Sequence, residues 1–141
     1  MNVKIKIFDG GKKPEYKRIG DACLDCYSRI DSGALVIPSG ERTLISLGFA
    51  LELSPDYEAV IRPRSGLTSK CIDIGIGTID SNYRGEIKAC VINNSLDDFE
   101  IKNGDRICQL AIRKVPEIIF EVVDKLSETE RGEKGFGSTG V

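Results

Sequence analysis

The stretch Gly77-Thr78-Ile79-Asp80-Ser81-Asn82-Tyr83-Arg84-Gly85-Glu86-Ile87-Lys88 sets one carboxylate and one aromatic ring around a short polar turn. A glycine and two small or branched residues lead into Asp80. Beyond Gly85, the residues Ile87, Ala89 and Val91 alternate with Lys88, Cys90 and Ile92, which is the period of a strand. The pattern predicts a β-hairpin with Asp80 just before its tip and Tyr83 inside it. Such a hairpin can hold a flat polar ligand on its backbone amides with Asp80 at one edge; an ordinary surface hairpin has the same pattern.

The carboxylate matters because the chain contains no histidine. Ser-His-Asp and Cys-His catalysis, HExxH metal sites and histidine acid-base chemistry are therefore excluded. Proton transfer falls to carboxylates, and anion contacts fall to arginine, lysine, hydroxyls and backbone amides. Candidates for anion contact follow Pro63, which ends a strand. Ser65 can cap a short helix reaching about Lys70, and Arg64, a hydroxyl and the flexible Gly66 at a helix start make an anion site. A plain cap beside a surface arginine reads the same way. Gln109 sits among apolar residues and, if buried, needs polar partners. Asp25 also has apolar neighbours and reads as a strand-end carboxylate bonded to local amides. From Asp124 the composition turns polar, and the chain finishes Gly135-Phe136-Gly137-Ser138-Thr139-Gly140-Val141, with Arg131 upstream. This is either a frayed terminus or a mobile arm whose amides and hydroxyls wrap phosphate oxygens while Phe136 stacks on a base.

The elements that must position these groups are short strands. Strands are expected at Val3–Ile7 (Val3, Ile5 and Ile7 inward), Ala22–Tyr27, Ala34–Ile37, Arg42–Leu53 broken at Gly48, Tyr57–Arg62 and Ile72–Ile79. Further strands are expected at Ile87–Ile92, Phe99–Ile101, Arg106–Ile112 and Ile118–Val123. Short strands with turns every 8–12 residues predict an all-β sandwich or jelly roll with one short helix. The 141 residues divide into a folded domain, 1–123, and a flexible arm, 124–141. With 30% charged residues and a net charge of -2, the chain lacks the basic excess of a general nucleic-acid binder. No apolar run approaches the roughly 20 residues that span a bilayer, and the alternating N-terminus reads as a strand rather than a signal peptide. A cytoplasmic protein is expected. Five cysteines, an odd number without an export signal, are expected reduced and mostly buried. Cys23 and Cys26 have CxxC spacing, but no second pair or histidine completes a zinc site.

Taken in order, Ala22-Cys23-Leu24-Asp25, Pro63-Arg64-Ser65-Gly66-Leu67, Gly77-Thr78-Ile79-Asp80 with Tyr83-Arg84-Gly85, Gly104-Asp105-Arg106-Ile107-Cys108-Gln109-Leu110, and Arg131-Gly132 with Gly135-Phe136-Gly137-Ser138-Thr139-Gly140 resemble the five motifs of trimeric dUTPases. Each motif is weak alone; the ordered set is specific. The resemblance implies a dUTPase-like (β-clip) distorted jelly roll, a homotrimer with sites between subunits, and Mg²⁺-dependent hydrolysis of dUTP to dUMP and pyrophosphate. That reaction limits uracil misincorporation into DNA and supplies dUMP for thymidylate synthesis. It further implies that Asp80 activates the attacking water and that Tyr83 packs on the deoxyribose. Gly77, Thr78, Ile79 and the backbone near Lys88 would read uracil. Arg64, Ser65, Gly66 and Gln109 would handle phosphates, and Asp25 would support the metal through water. Arg131, Phe136, Gly137, Ser138 and Thr139 would belong to an arm closing over a neighbouring site. Lys134 departs from the family's usual glycine there. The alternatives are a dCTP deaminase or bifunctional relative, which would place a glutamate acid-base in the hairpin region, and a non-catalytic nucleotide sensor of the same fold.

Overall fold

A computed structural model describes residues 1–133 and 135. Along the described chain run β1 (Lys4–Ile7), β2 (Leu24–Tyr27), β3 (Ala34–Ile37), β4 (Arg42–Ser46), β5 (Phe49–Glu52) and β6 (Tyr57–Arg62). They are followed by α1 (Ser65–Thr68), β7 (Ile72–Ile74), β8 (Gly77–Ile79), β9 (Lys88–Asn93), β10 (Phe99–Lys102) and β11 (Arg106–Lys114). A four-stranded antiparallel sheet has the order β2-β11-β6-β8, a three-stranded one β4-β9-β7, and β1-β5 and β10-β3 form pairs. All four sheets feed one buried cluster. Cys26, Ile61 and Leu110 enter it from the first sheet, Ile45 and Val91 from the second, Phe49 and Leu51 from β5, and Ile37 and Ile101 from the β3-β10 pair. Period-two alternation drives this: in β9, Ala89, Val91 and Asn93 are buried while Lys88, Cys90 and Ile92 are not. The all-β jelly-roll expectation, with one short helix, holds.

Gly48 breaks the Arg42–Leu53 run as a β-bulge. Leu47 N–H donates to Ile87 O at 3.0 Å and Ile87 N–H donates to Phe49 O at 2.9 Å, so three residues, with Gly48 at their centre, stand opposite Ile87. The Gly48 φ of 75° and the Gly11 backbone lying where a Cβ would go both require glycine.

Four expectations need correction. Residues 77–92 are not a hydrogen-bonded hairpin: β8 pairs with β6 in one sheet, while β9 pairs with β4 and β7 in another. Alternation fixes which face of a strand is buried but not which edge it pairs with. Ile118–Val123 forms no strand; β11, which precedes it, already carries a partner on each edge, and Ile119, Phe120 and Val122 are 88%, 87% and 96% exposed. β1 pairs only with β5, so Ile5 and Ile7 stay exposed and only Val3 packs against the core. In α1 the capping position is Arg64, with no side-chain cap bond, and Ser65 is the first helical residue.

One buried polar side chain is fully matched. Asn93 donates Nδ2 to Ile37 O (2.9 Å) and Asp97 O (2.8 Å), and its Oδ1 accepts from Ser95 N (3.0 Å) and Ser95 Oγ (2.6 Å). Cys26 and Cys108 are buried and face each other across β2 and β11, Cys71 is exposed, and all five thiols are free. No group of three His, Cys, Asp or Glu side chains suited to a metal occurs among the described residues.

Candidate active site

The divergence of β8 and β9 into different sheets opens a slot of about 360 Å³ lined by Gly77, Thr78, Ile79, Asp80, Tyr83, Glu86, Ile87 and Lys88. β8 ends its sheet, so its outer edge presents backbone groups with no ladder partner. Among the described residues the exposed Asp80 carboxylate makes no hydrogen bond, and its backbone oxygen accepts from Tyr83 N at 3.1 Å. The Tyr83 ring lies against Gly85, where any Cβ would strike its hydroxyl, and the hydroxyl donates to Glu86 O at 3.2 Å. The turn residues thus fix the ring through a side chain that glycine alone permits.

A second pocket, about 340 Å³, is lined by Lys17, Arg18, Asp21, Ala22, Cys23, Asp25, Arg64, Arg106 and Gln109. Four cations face two carboxylates, so it favours an anion. Asp25, buried in β2, organises it. Its Oδ2 accepts from Arg106 at 3.0 Å, and its Oδ1 accepts from Gln109 Nε2 at 3.1 Å and lies 3.6 Å from Arg64 Nε. Its partners are remote side chains rather than the local amides expected, because cross-strand register sets Asp25 opposite Gln109. The half-buried Gln109 finds its partner there. Arg64 also donates to Arg106 O at 2.5 Å. The neighbouring loop is tied down by Asp21, whose Oδ2 accepts from Lys17 N (3.1 Å) and Arg18 N (2.8 Å). Beside it the Glu15 carboxylate accepts from Lys17 Nζ and Tyr27 OH. The Lys17 hydrogen bond first, then that from Tyr27, holds Glu15 below the usual carboxylate range.

The dUTPase family model matches residues 9–140. The chain belongs to the dUTPase family. It is 47% identical over 148 residues to the deoxyuridine 5'-triphosphate nucleotidohydrolase of Orientia tsutsugamushi (strain Ikeda), covering 100% of this chain and 99% of that one. Identity to the enzyme of the same name from Clostridium acetobutylicum is 43% over 145 residues, with 100% and 98% covered. The dUTPase of Staphylococcus bacteriophage 80alpha, solved with dUPNHPP, superposes with a TM-score of 0.91 at 26% identity over 99% of both chains.

Of the dUTPase residues anticipated from sequence, Gly77, Thr78, Ile79, Asp80, Tyr83 and Lys88 meet in the slot, while Asp25, Arg64 and Gln109 meet in the anion pocket. Ser65 and Gly66 are exposed on α1 and do not line either pocket. Arg131 is exposed in the terminal stretch. Phe136, Gly137, Ser138 and Thr139, and also Lys134, lie outside the described residues. Sequence reasoning missed Arg106 and Glu86. Arg106 stood within a quoted motif, three residues before Gln109, but its partner is 81 residues away. Glu86 stood within the quoted stretch with no role assigned to it, and its partner Arg29 is 57 residues away.

Proposed function

We propose that this chain hydrolyses dUTP to dUMP and pyrophosphate. Asp80 and Tyr83 sharing one slot with the unpaired edge of β8 is the observation that carries the reading. Backbone N–H and C=O groups of residues 77–79 and around Lys88 match the edge of uracil and leave cytosine's amino group without a partner. Tyr83 packs on the deoxyribose. Asp80 takes a proton from water as the water oxygen bonds to the α-phosphorus; the bond from that phosphorus to the bridging oxygen breaks and pyrophosphate leaves. Arg64 and Gln109, held by Asp25, bind the phosphates with Ser65 and Gly66. Arg131, Phe136, Gly137, Ser138 and Thr139 close over the site and exclude water.

The donor set offers no direct cage for Mg²⁺, which takes oxygen ligands, because both Asp25 oxygens are engaged by arginine and glutamine. The ion fits as a passenger on the triphosphate, with Asp25 reaching it through water. Bound there, Mg²⁺ neutralises phosphate charge. A homotrimer with sites between subunits has two supports. The slot and the anion pocket share no lining residue, an arrangement that suits one nucleotide held between two protomers. The exposed apolar run Ile118, Ile119, Phe120, Val122 and Val123 also calls for a cover. No helix among the described residues is long and apolar enough to cross a membrane, and residues 1–123 and 124–141 act as domain and arm in a cytoplasmic enzyme.

The deaminase alternative needs a free glutamate in this region. Glu86 is there, but its carboxylate is taken by Arg29 (3.0 Å) and the Gly48 amide (3.1 Å). Pyrophosphate release measured across dUTP, dCTP, dTTP and UTP should respond to dUTP alone. Asp80→Asn should bind dUpNHpp yet lose about 10²–10⁴ in turnover. Native-rate hydrolysis by Asp80→Asn would remove Asp80 as the base.

A further inference from the structure

The segment from Asp80 to Glu86 belongs to no ladder of its own, yet it must hold Tyr83 at a fixed height. What fixes it is Glu86, gripped on both sides. Its backbone oxygen accepts from Tyr83 OH at 3.2 Å. Its carboxylate accepts from Arg29 Nε at 3.0 Å and from Gly48 N at 3.1 Å, the amide that the bulge leaves outside the ladder. Arg29 is itself anchored: its amide donates to Ser46 O at 2.8 Å and its NH1 to Asp9 O at 3.3 Å. The Arg29 and Glu86 side chains are only 23% and 18% exposed, so the pair is shielded from screening.

We infer that the Arg29–Glu86–Gly48 strut is a positioning device for Tyr83 and sets how strongly the site rejects a ribose 2'-hydroxyl. The inference rests on the dUTP reading proposed above. A ring held by one hydroxyl bond and by contact with Gly85 drifts once Glu86 is released, and the room it vacates is the room a 2'-hydroxyl needs. The bulge is part of the device. Without the extra residue at 48, no orphan amide would face Glu86, and the carboxylate would have one partner fewer.

The test compares kcat/KM for dUTP and UTP in wild-type, Glu86→Ala, Glu86→Gln, Arg29→Lys and Tyr83→Ala enzymes, and in the Glu86→Ala/Tyr83→Ala double variant. Melting curves check that each variant is folded. The dUTP over UTP preference should fall at least tenfold in Glu86→Ala and less in Glu86→Gln, which keeps an acceptor for the Gly48 amide. Arg29→Lys should retain most of the preference. The loss should not deepen in the double variant, since the strut acts only through the ring. Unchanged preference in a folded Glu86→Ala enzyme, or equal loss of both substrates, would overturn the strut alone. A wild-type enzyme that does not turn over dUTP would overturn the underlying reading instead. If Glu86→Ala fails to fold, Glu86→Gln decides: a preference identical to wild type there refutes the strut.

Discussion

Replacing Asp25 by asparagine separates two roles for a carboxylate inside an anion pocket. If Asp25 were simply one more charge, its removal would leave four cations against one carboxylate and phosphates would bind more tightly. If it is the scaffold that aims Arg64 and Gln109, binding weakens although the pocket becomes more positive. The bonds indicate the size of the effect. Charge-assisted hydrogen bonds contribute about 1.5–3 kcal/mol, but the Arg106 side chain is 45% exposed, and solvent screening reduces its share to about 1 kcal/mol. The Arg64 contact, at 3.6 Å, is a longer attraction of roughly 0.5 kcal/mol. Gln109 keeps an acceptor in the amide oxygen, while the new NH₂ opposes a guanidinium donor at about 0.5–1 kcal/mol. The sum, about 2 kcal/mol, lowers the melting temperature by roughly 6–10 °C for a chain of this length. Calorimetric melting at fixed protein concentration reads the first quantity, and titration with dUpNHpp reads the second, where affinity should fall roughly ten- to hundredfold, about 1.4–2.7 kcal/mol. An Asp25→Asn enzyme that melts within about 1 °C of wild type and binds the analogue as well or better would refute the scaffold.

Two further predictions concern groups outside the reaction. Thiol titration of the native protein should label Cys71 first and spare Cys26 and Cys108 until unfolding, because the neighbouring Cys108 and burial push the Cys26 thiol up; early labelling of Cys26 would contradict the buried pair. The Glu15 carboxyl should titrate below its usual 4.5. With the folded value depressed, the tie to Lys17 and Tyr27 is complete above that usual value and is lost as pH falls through the folded one. Carbon-detected NMR titration should show the midpoint returning toward 4.5 in Lys17→Met, and an unmoved midpoint would count against the contact.

Local pattern was legible where a strand's own residues decide its state. Ala34–Ile37 and Tyr57–Arg62 have the bounds read from the sequence, and the break at Gly48 is where it was expected. What pattern cannot express is partnership. The strands on either side of Asp80 alternate as a hairpin would, yet each finds a different sheet. Ile118–Val123 has the composition of a strand but pairs with no other strand within the described chain. The site divides the same way. The motifs that suggested Asp80, Tyr83, Arg64 and Gln109 are short and local, and the first two line one pocket while the last two line another. The roles of Arg106 and Glu86 come from contacts across 81 and 57 residues, which no local spacing encodes.

The amide side chain at position 93 has a consequence for how errors in folding are rejected. Strands β3 and β10 join no ladder but each other's, so grease alone would tolerate their sliding by two residues against the rest of the sandwich. Asn93 would not, because its grip on Ile37 O and Asp97 O exists in one alignment only. Any slipped version leaves a dry carboxamide with nothing to hold, at a penalty of about 1–3 kcal/mol per lost partner. An inward-facing polar residue therefore acts as a proofreader, making a slipped arrangement costly.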